Sequence, residues 1–374
     1  MNSIQVKWKS RHILVAILFL QFISCATLVF DVPVARQVIG FIYFTFVPGF
    51  VAIKLLKLDE LDGLETILFS AGLSVAFLML AGLLINEFCP LFGITKPLSF
   101  QPLAIILNGF ILIGSVVAYL RNGDTKLQET KTFRLHPLAL FLMGLPVISI
   151  VGTVCSNAYN NNLILLFMII LISLLFAIAV ISKKLLPPRL YPFCIFVIVI
   201  SLLYHSSLIS NNLIHFGSDV PGEYFAFKIV ERDAHWSSIN PYLGDSSVGR
   251  TYAMLSVTIL PSIYSSLLNL NPVWVFKALT PIIFSLVPLG LYNVWSKFAG
   301  SKYAFISAFF FMAYQTFYTE MLGLNKQMIG GLFFVLLLLV ILNKKMKPIH
   351  KTACFLIFSF ALVVSHYALA EIFL

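Results

Sequence analysis

The chain has 374 residues, of which 60% are hydrophobic and only 11% are charged, and its mean hydropathy is +0.96. A soluble domain carries roughly 25% charged residues, so this composition excludes an ordinary soluble enzyme and predicts an all-α polytopic membrane protein. The net charge of +10 comes from short basic clusters between apolar runs. That pattern indicates membrane topology and does not predict nucleic-acid binding.

Eleven apolar runs are long enough to cross the roughly 30 Å hydrocarbon core as helices. They are residues 12–30, 37–56, 64–85, 102–120, 137–154, 163–182, 190–210, 273–294, 303–319, 328–342 and 352–374. The first run follows Lys7, Lys9 and Arg11, which predicts a signal anchor with a cytoplasmic N-terminus. The last run reaches the end of the sequence, so we expect the chain to continue in a longer protein.

A twelfth apolar run, 251–270, is ambiguous because Pro261 lies at its centre. If this run does not cross the membrane, eighteen basic residues lie on the cytoplasmic side and six on the outer side. If it does cross, the bias disappears, so the positive-inside rule favours the first arrangement. We therefore predict eleven transmembrane helices in the cell membrane. Residues 211–272 would form an external segment with juxtamembrane or re-entrant helices.

The polar stretch 121–136 is the longest one between the predicted cytoplasmic helix ends, which makes it a candidate domain boundary. Residues 1–136 would form an N-terminal membrane region of four helices. Residues 137–374 would contain the other seven helices and the external segment.

Residues 211–250 contain five of the 15 acidic side chains in the chain. Ser218 or Asp219 fits a helix N-cap there, and Pro221 fits the first turn. Asp219 and Glu223 are four residues apart and would lie on one helix face. They could share a divalent cation, or one could deprotonate an acceptor hydroxyl. The alternative is a capped juxtamembrane helix in which Glu223 only interacts with the helix dipole.

Two further ionisable residues lie near the predicted outer surface. Glu320 follows the run 303–319 and would share a compartment with Asp219, although a lone glutamate at an interface is commonly just solvated. His366 lies in the outer half of the last predicted span. An ionisable residue in a span is a functional candidate, and hydrogen bonding to a neighbouring helix is the alternative.

Basic and aromatic residues supply the remaining candidates. Arg250 and Lys277 could bind a lipid phosphate, or could extend to the membrane interface without a ligand. Trp236 could stack on a sugar ring or belong to an aromatic belt at the water boundary. The sequence contains no Gly-rich phosphate loop, zinc signature or Ser-His-Asp order.

The order of these features resembles the GT-C glycosyltransferases, which include oligosaccharyltransferases, protein mannosyltransferases and aminoarabinose transferases. An acidic motif opens a long external loop, an interfacial segment with a proline follows, and the next span has a basic residue near its start. Asp219, Glu223, Trp236 and the run YAMLSVTILPSIYSSLLNLNPVWVFKALTPIIFSLVPLGLYNVW look like a mainly archaeal, uncharacterised GT-C-like membrane family. The segments VPGFVAIKLL and GLSVAFLMLAGLLIN also look like that family.

The resemblance implies that a sugar is transferred from a polyprenyl-phosphate carrier to a lipid, glycan or protein acceptor on the outer face. Asp219 would be the catalytic residue, with Glu223 and Glu320 in support. Mg²⁺ or Mn²⁺ would bind to Asp219 and Glu320. The spacing Asp-X-X-X-Glu differs from the Asp-X-Asp of many transferases, so metal dependence stays open.

The same resemblance implies roles for the remaining candidates. Arg250 and Lys277 would hold the carrier phosphate, and His366 and Trp236 would line the substrate site. Two other functions compete with this one: a non-catalytic transporter or flippase, and a scaffold subunit for the assembly of envelope polysaccharide or glycolipid. A transporter predicts ionisable residues at mid-membrane and broken helices in paired positions, whereas these charges cluster near the predicted outer face.

Overall fold

The computed structural model describes residues 10–122, 137–181, 186–210, 218–238 and 247–373. Most of the predicted linker 121–136 and residues 211–217 and 239–246 of the predicted external segment lie outside these ranges. The regular structure of the described residues is helical, without a β-strand among them, which confirms the predicted all-α class.

The α-helices follow one another along the chain with a few short 3₁₀ and π segments between them. They are α1 (Ser10–Val29), α2 (Ala35–Leu56), α3 (Gly63–Phe88), α4 (Phe100–Asn122), α5 (Pro137–Tyr159), α6 (Leu163–Ile181), α7 (Tyr191–Ser207), α8 (Val220–Asp233), α9 (Ser247–Tyr252), α10 (Ile259–Leu268), α11 (Pro272–Trp274), α12 (Thr280–Phe284), α13 (Leu286–Ala313), α14 (Gln315–Tyr318), α15 (Asn325–Leu342), α16 (Pro348–Ser365) and α17 (Tyr367–Phe373).

Ten helical segments of the described residues are long and apolar enough to cross a membrane, as expected for an integral membrane protein. One of them, Pro272–Ala313, has 42 residues, and as one straight helix it would be about 63 Å long, twice the hydrocarbon core. Gly300 interrupts it with φ 76° and ψ 165°, a conformation that only glycine adopts readily. The interruption lies between the predicted spans 273–294 and 303–319. The number of crossings stays a prediction.

The ambiguous apolar run contains α10, which has ten residues and is therefore about 15 Å long, half the length that a crossing needs. Two side chains of α2 bind its C-terminal end. Arg36 Nε donates to the Leu267 carbonyl oxygen at 2.8 Å, and Gln37 Nε2 donates to the Leu268 carbonyl oxygen at 2.7 Å. The last carbonyls of a helix have no intrahelical partner, so these bonds satisfy them and anchor α10 to α2.

The described residues divide into two compact units. The first unit comprises the described parts of Met1–Arg134, Ala226–Pro272 and Lys345–Phe358, and the second comprises those of Leu135–Phe225, Val273–Lys344 and Ser359–Leu374. In the first unit α2 packs on α3, and α10 packs on α2, α3 and α4. In the second unit α7 packs on α5 and α13, and α15 packs on α12 and α13. The predicted regions 1–136 and 137–374 follow chain order, whereas these units interleave along the sequence.

Gly49 lies at a close approach of α2 to α3. Its backbone N–H donates to Ser74 Oγ at 2.7 Å, and a Cβ at this position would lie 1.9 Å from the Ser70 carbonyl oxygen. The oxygen belongs to the α3 backbone, so it cannot move aside as the end of a flexible side chain would. The packing of these two helices therefore requires glycine here.

We expect Gly49→Ala to lower the free energy of unfolding by about 1–3 kcal/mol, the usual cost of overpacking a core. Gly109 of α4 provides the matched control, because a Cβ there meets nothing within 4 Å. Gly109→Ala should be neutral or stabilising by up to ~1 kcal/mol, since alanine favours the helix. Thermal unfolding of both purified variants in one detergent measures the difference, and equal stabilities would contradict the close packing.

Candidate functional site

The second unit holds a cluster of opposite charges at the beginning of α15. Lys326 Nζ lies 2.8 Å from Asp219 Oδ2 and 4.0 Å from Glu223 Oε1. Asp219 immediately precedes α8 and Glu223 lies in its first turn, and their four-residue spacing predicted that they would share a helix face. The ammonium of Lys326 therefore bridges the two acidic residues that the sequence singled out.

Glu223 is fully buried and caps α15. Its Oε2 accepts the backbone N–H of Asn325 at 3.0 Å, and its Oε1 accepts that of Lys326 at 3.4 Å. Leu324, the residue before the helix, contributes no side-chain cap. The first N–H groups of a helix lack intrahelical partners, and the helix dipole favours a negative charge beside them. Glu223 supplies this acceptor from 102 residues away in the sequence.

The two carboxyl groups of the cluster have different environments. Burial raises the pKa of Glu223 from its ordinary value of 4.5 to about 7, although Lys326 and the two backbone donors act in the opposite direction. The Asp219 side chain, by contrast, is 49% exposed. Glu223 therefore binds only groups of the protein interior. Asp219 is the carboxylate of the pair that is accessible from outside the protein.

The backbone beside Asp219 is bound to the 3₁₀ turn Glu320–Gly323. The Asp219 N–H donates to the Gly323 carbonyl oxygen at 3.1 Å. A Cβ on Gly323 would lie 2.6 Å from the Cβ of Ser218, so the close approach depends on this glycine. Glu320 begins the same turn, but it is exposed, and no contact within the described ranges joins its carboxylate to Asp219 or Lys326. Asp219 and Glu223 are thus brought together without Glu320.

His366 lies just after α16 and is 5% exposed. Its Cβ packs against Gly330, one turn beyond Lys326 on α15. Lys326 and Asp219 both act electrostatically on the imidazole. The backbone N–H of Leu369 donates to Nδ1 at 3.0 Å, so Nδ1 carries no proton and Nε2 carries the N–H of the neutral ring. His366 is therefore an additional donor close to the charge cluster.

Lys277 is buried in the π-helical segment Val275–Leu279, between α11 and α12. Its ammonium donates to the backbone carbonyl of Ser210, just beyond the end of α7. Ser207 Oγ in turn donates to the Lys277 carbonyl oxygen at 2.5 Å. In this arrangement the ammonium that was predicted to hold a phosphate connects the π-helical segment to the end of α7.

Trp236 and Arg250 belong to the first unit. The indole Nε1 of Trp236 donates to the Tyr252 carbonyl oxygen at 3.0 Å, and its ring stacks on the Tyr252 ring with centroids 5.8 Å apart. The Trp236 backbone N–H donates to Asn86 Oδ1 at 2.7 Å. These bonds use the indole N–H within the protein and fix the chain after α8. Arg250 lies on α9 and is exposed.

Lys326 is the residue of the candidate site that the sequence analysis missed. It stands in the first turn of α15, at the beginning of a long apolar run. The helix dipole makes a cation unfavourable at this position unless acidic groups compensate it. A lysine that opens an apolar helix was therefore a signal for a buried acidic partner, and Asp219 and Glu223 were the acidic pair expected on the same side.

Asp219 and Glu223 do not fit a shared Mg²⁺ or Mn²⁺ in this arrangement. The ammonium of Lys326 already takes the position between Asp219 and Glu223, and it would repel a second cation there. In the part of the chain that the structure describes, no three His, Cys, Asp or Glu side chains form a group that could hold a metal ion. The assignment of Asp219 and Glu320 as metal ligands stays a prediction.

The raised pKa of Glu223 makes stability depend on pH. The unfolded chain ionises this group near pH 4.5 and the folded protein near pH 7, so the folded state holds an extra proton between these values. The contribution of Glu223 to the free energy of unfolding is therefore greatest below about pH 4.5, and it falls by about 3 kcal/mol at most as the pH rises to about 7. We expect Glu223→Gln to remove this fall, because the amide oxygen still accepts N–H bonds but does not titrate.

Chemical unfolding of the full chain in detergent between about pH 5 and pH 8 measures this pH dependence. Glu231→Gln is the matched control, since Glu231 lies on the same helix, is partly exposed and pairs with Lys228. The control variant should keep the pH dependence of the wild type. The same slope in Glu223→Gln and in the wild type would show that Glu223 is not the group responsible.

Comparison with known proteins places this chain in no family. It matches no family model, and no curated protein or solved structure is detectably similar to it. The resemblance to GT-C glycosyltransferases therefore rests on the residues and segment order of the sequence. The function of the chain has to be inferred from the cluster at the start of α15.

Proposed function

We propose that the chain is a membrane glycosyltransferase that transfers a sugar from a polyprenyl-phosphate carrier to a lipid, glycan or protein acceptor. The pair Asp219–Lys326 would be its reaction centre. The observation that carries this proposal is the half-exposed carboxylate of Asp219, held 2.8 Å from the ammonium of a buried lysine. Transfer from a phosphate carrier uses two such groups, a base for the acceptor and a cation for the leaving phosphate.

In the proposed step the acceptor hydroxyl oxygen attacks the anomeric carbon of the sugar, and its proton passes to Asp219. The new glycosidic C–O bond forms while the bond from the anomeric carbon to the phosphate oxygen breaks. The carrier leaves as polyprenyl phosphate and keeps the electron pair of that bond. Lys326 stabilises the negative charge that develops on this phosphate.

The surrounding residues support the reaction centre in distinct ways. Glu223 is a positioning residue, because its bonds to the backbone of Asn325 and Lys326 fix the start of α15. His366 would donate its Nε2–H to a substrate oxygen. Lys326 takes over the phosphate-binding role first given to Lys277, whose ammonium contacts a backbone carbonyl.

We expect Asp219→Asn to reduce sugar transfer by about 10²–10⁴-fold, because the amide cannot accept the hydroxyl proton. Asp233→Asn is the matched control, since Asp233 ends the same helix and pairs with its exposed neighbour Arg232. Asp233 is partly exposed, so its replacement should not disturb the fold. Because Asp233 does not belong to the proposed reaction centre, the control should transfer sugar at the wild-type rate. Membranes that contain each variant are incubated with labelled polyprenyl-phosphate hexoses and pentoses, and the transferred label is counted.

Thermal unfolding of the same preparations tests whether the Asp219→Asn variant is folded. Undiminished transfer by this folded variant would contradict the proposal. Transfer that falls equally in Asp233→Asn would also contradict it, because the loss would then reflect acidic charge in general and not the pair with Lys326.

A further inference from the structure

The first unit contains a cleft between α1, α2 and α4 that none of the predicted site residues lines. Its wall is apolar and includes Ile13, Leu14 and Ile17 of α1, together with Val51 of α2. Its other end is polar and includes Lys54 of α2 and Asp59, which follows that helix. An apolar wall that ends in charged groups has the polarity of a membrane lipid, an apolar chain joined to a charged headgroup.

The two charges of the cleft are only loosely paired. Lys54 Nζ lies 3.8 Å from Asp59 Oδ1, which exceeds the length of a hydrogen bond. The Lys54 side chain is 21% exposed and that of Asp59 is 71% exposed. Partly exposed pairs at this distance contribute little to stability, so a ligand can separate them at small cost.

The polar end of the cleft is nevertheless held in place. Asn122 at the end of α4 donates its side-chain amide to the Lys54 carbonyl oxygen at 2.9 Å and to the Ala118 carbonyl oxygen at 2.8 Å. The Lys54 ammonium also lies 5.6 Å from the centre of the Phe50 ring. These contacts join α2 to α4 beside the charged groups, so the headgroup end of the cleft is a formed site.

We propose that this cleft binds one zwitterionic phospholipid whose headgroup carries a primary ammonium. The lipid phosphate pairs with Lys54, the headgroup ammonium pairs with Asp59, and one acyl chain lies along Ile13, Leu14 and Ile17. One cation beside one anion matches a headgroup that carries both charges, whereas an anionic headgroup would place negative charge next to Asp59.

Lateral access from the bilayer supports a lipid as the occupant. Val15, Phe19 and Phe22 of α1 are 62%, 64% and 71% exposed, so this apolar helix faces lipid along much of its length. A lipid can therefore enter the cleft beside α1 without leaving the membrane.

The test uses the full chain, purified in detergent and stripped of lipid. Its thermal unfolding is followed during titration with phosphatidylethanolamine, with phosphatidylglycerol and with soluble phosphoethanolamine. We expect phosphatidylethanolamine to raise the Tm at about tenfold lower concentration than phosphatidylglycerol, and phosphoethanolamine to have no effect. Equal effects of the two lipids, or an effect of phosphoethanolamine alone, would overturn the proposal.

Variants identify the residues that recognise the headgroup. Lys54→Gln should weaken the response to phosphatidylethanolamine about tenfold, and Asp59→Asn should remove the preference over phosphatidylglycerol. Lys57→Gln is the control, because Lys57 is exposed just beyond α2 and does not line the cleft. If Lys54→Gln does not fold, the exposed Asp59→Asn variant decides the test. A wild-type lipid preference in Asp59→Asn would overturn the assignment.

Discussion

The ammonium of Lys326 is the group on which the arrangement of the candidate site depends. A cation in the first turn of a helix faces the positive end of the helix dipole, and burial adds to its cost. Two carboxylates at the start of α8 offset this cost: Asp219, just before the helix, forms a direct ion pair, and Glu223 caps α15. The start of α8 and the start of α15 are consequently held together by charge, although about a hundred residues separate them in the chain.

The buried position of the Lys326 ammonium places the two acidic residues in different environments. Glu223 is wholly buried, accepts backbone donors, and has a pKa raised to about 7 by its burial. Asp219 is half-exposed and forms the direct ion pair with Lys326. A spacing of four residues thus gives one structural acid and one accessible acid, and only the accessible one is placed to meet a substrate. This difference is the physical basis for assigning the chemistry to Asp219.

Patterns in the sequence predicted the main features of the fold. Hydropathy indicated an all-α membrane protein, and the charge distribution indicated that 251–270 does not cross, which fits the ten residues of α10. Helical periodicity placed Asp219 beside Glu223. Hydropathy and periodicity describe single segments, and the charge distribution describes only the sides of the membrane, so none of them identified Arg36 as the residue that binds the end of α10.

The parts of the site that escaped prediction depend on contacts between segments that lie far apart in the chain. The pairing of Lys326 with Asp219 and the bond from Lys277 to Ser210 are properties of helix packing, which local spacing does not encode. Trp236 was a candidate for stacking on a sugar because its side chain is aromatic. Its ring instead stacks on Tyr252, and its N–H groups donate to Tyr252 and Asn86. Glu320 was expected beside Asp219 because both were assigned to one side of the membrane. Two residues can lie on the same side of the membrane without contact between their side chains.

A double-mutant cycle on the rate of sugar transfer tests the central claim most directly. Asp219→Asn, Lys326→Gln and the double variant are compared with the wild type in the same membranes, with folding verified by thermal unfolding. If the pair acts as one reaction centre, the double variant is about as slow as the slower single variant, because either change disables the same step. Losses that simply multiply in the double variant would show that the two residues act independently, and would contradict the account.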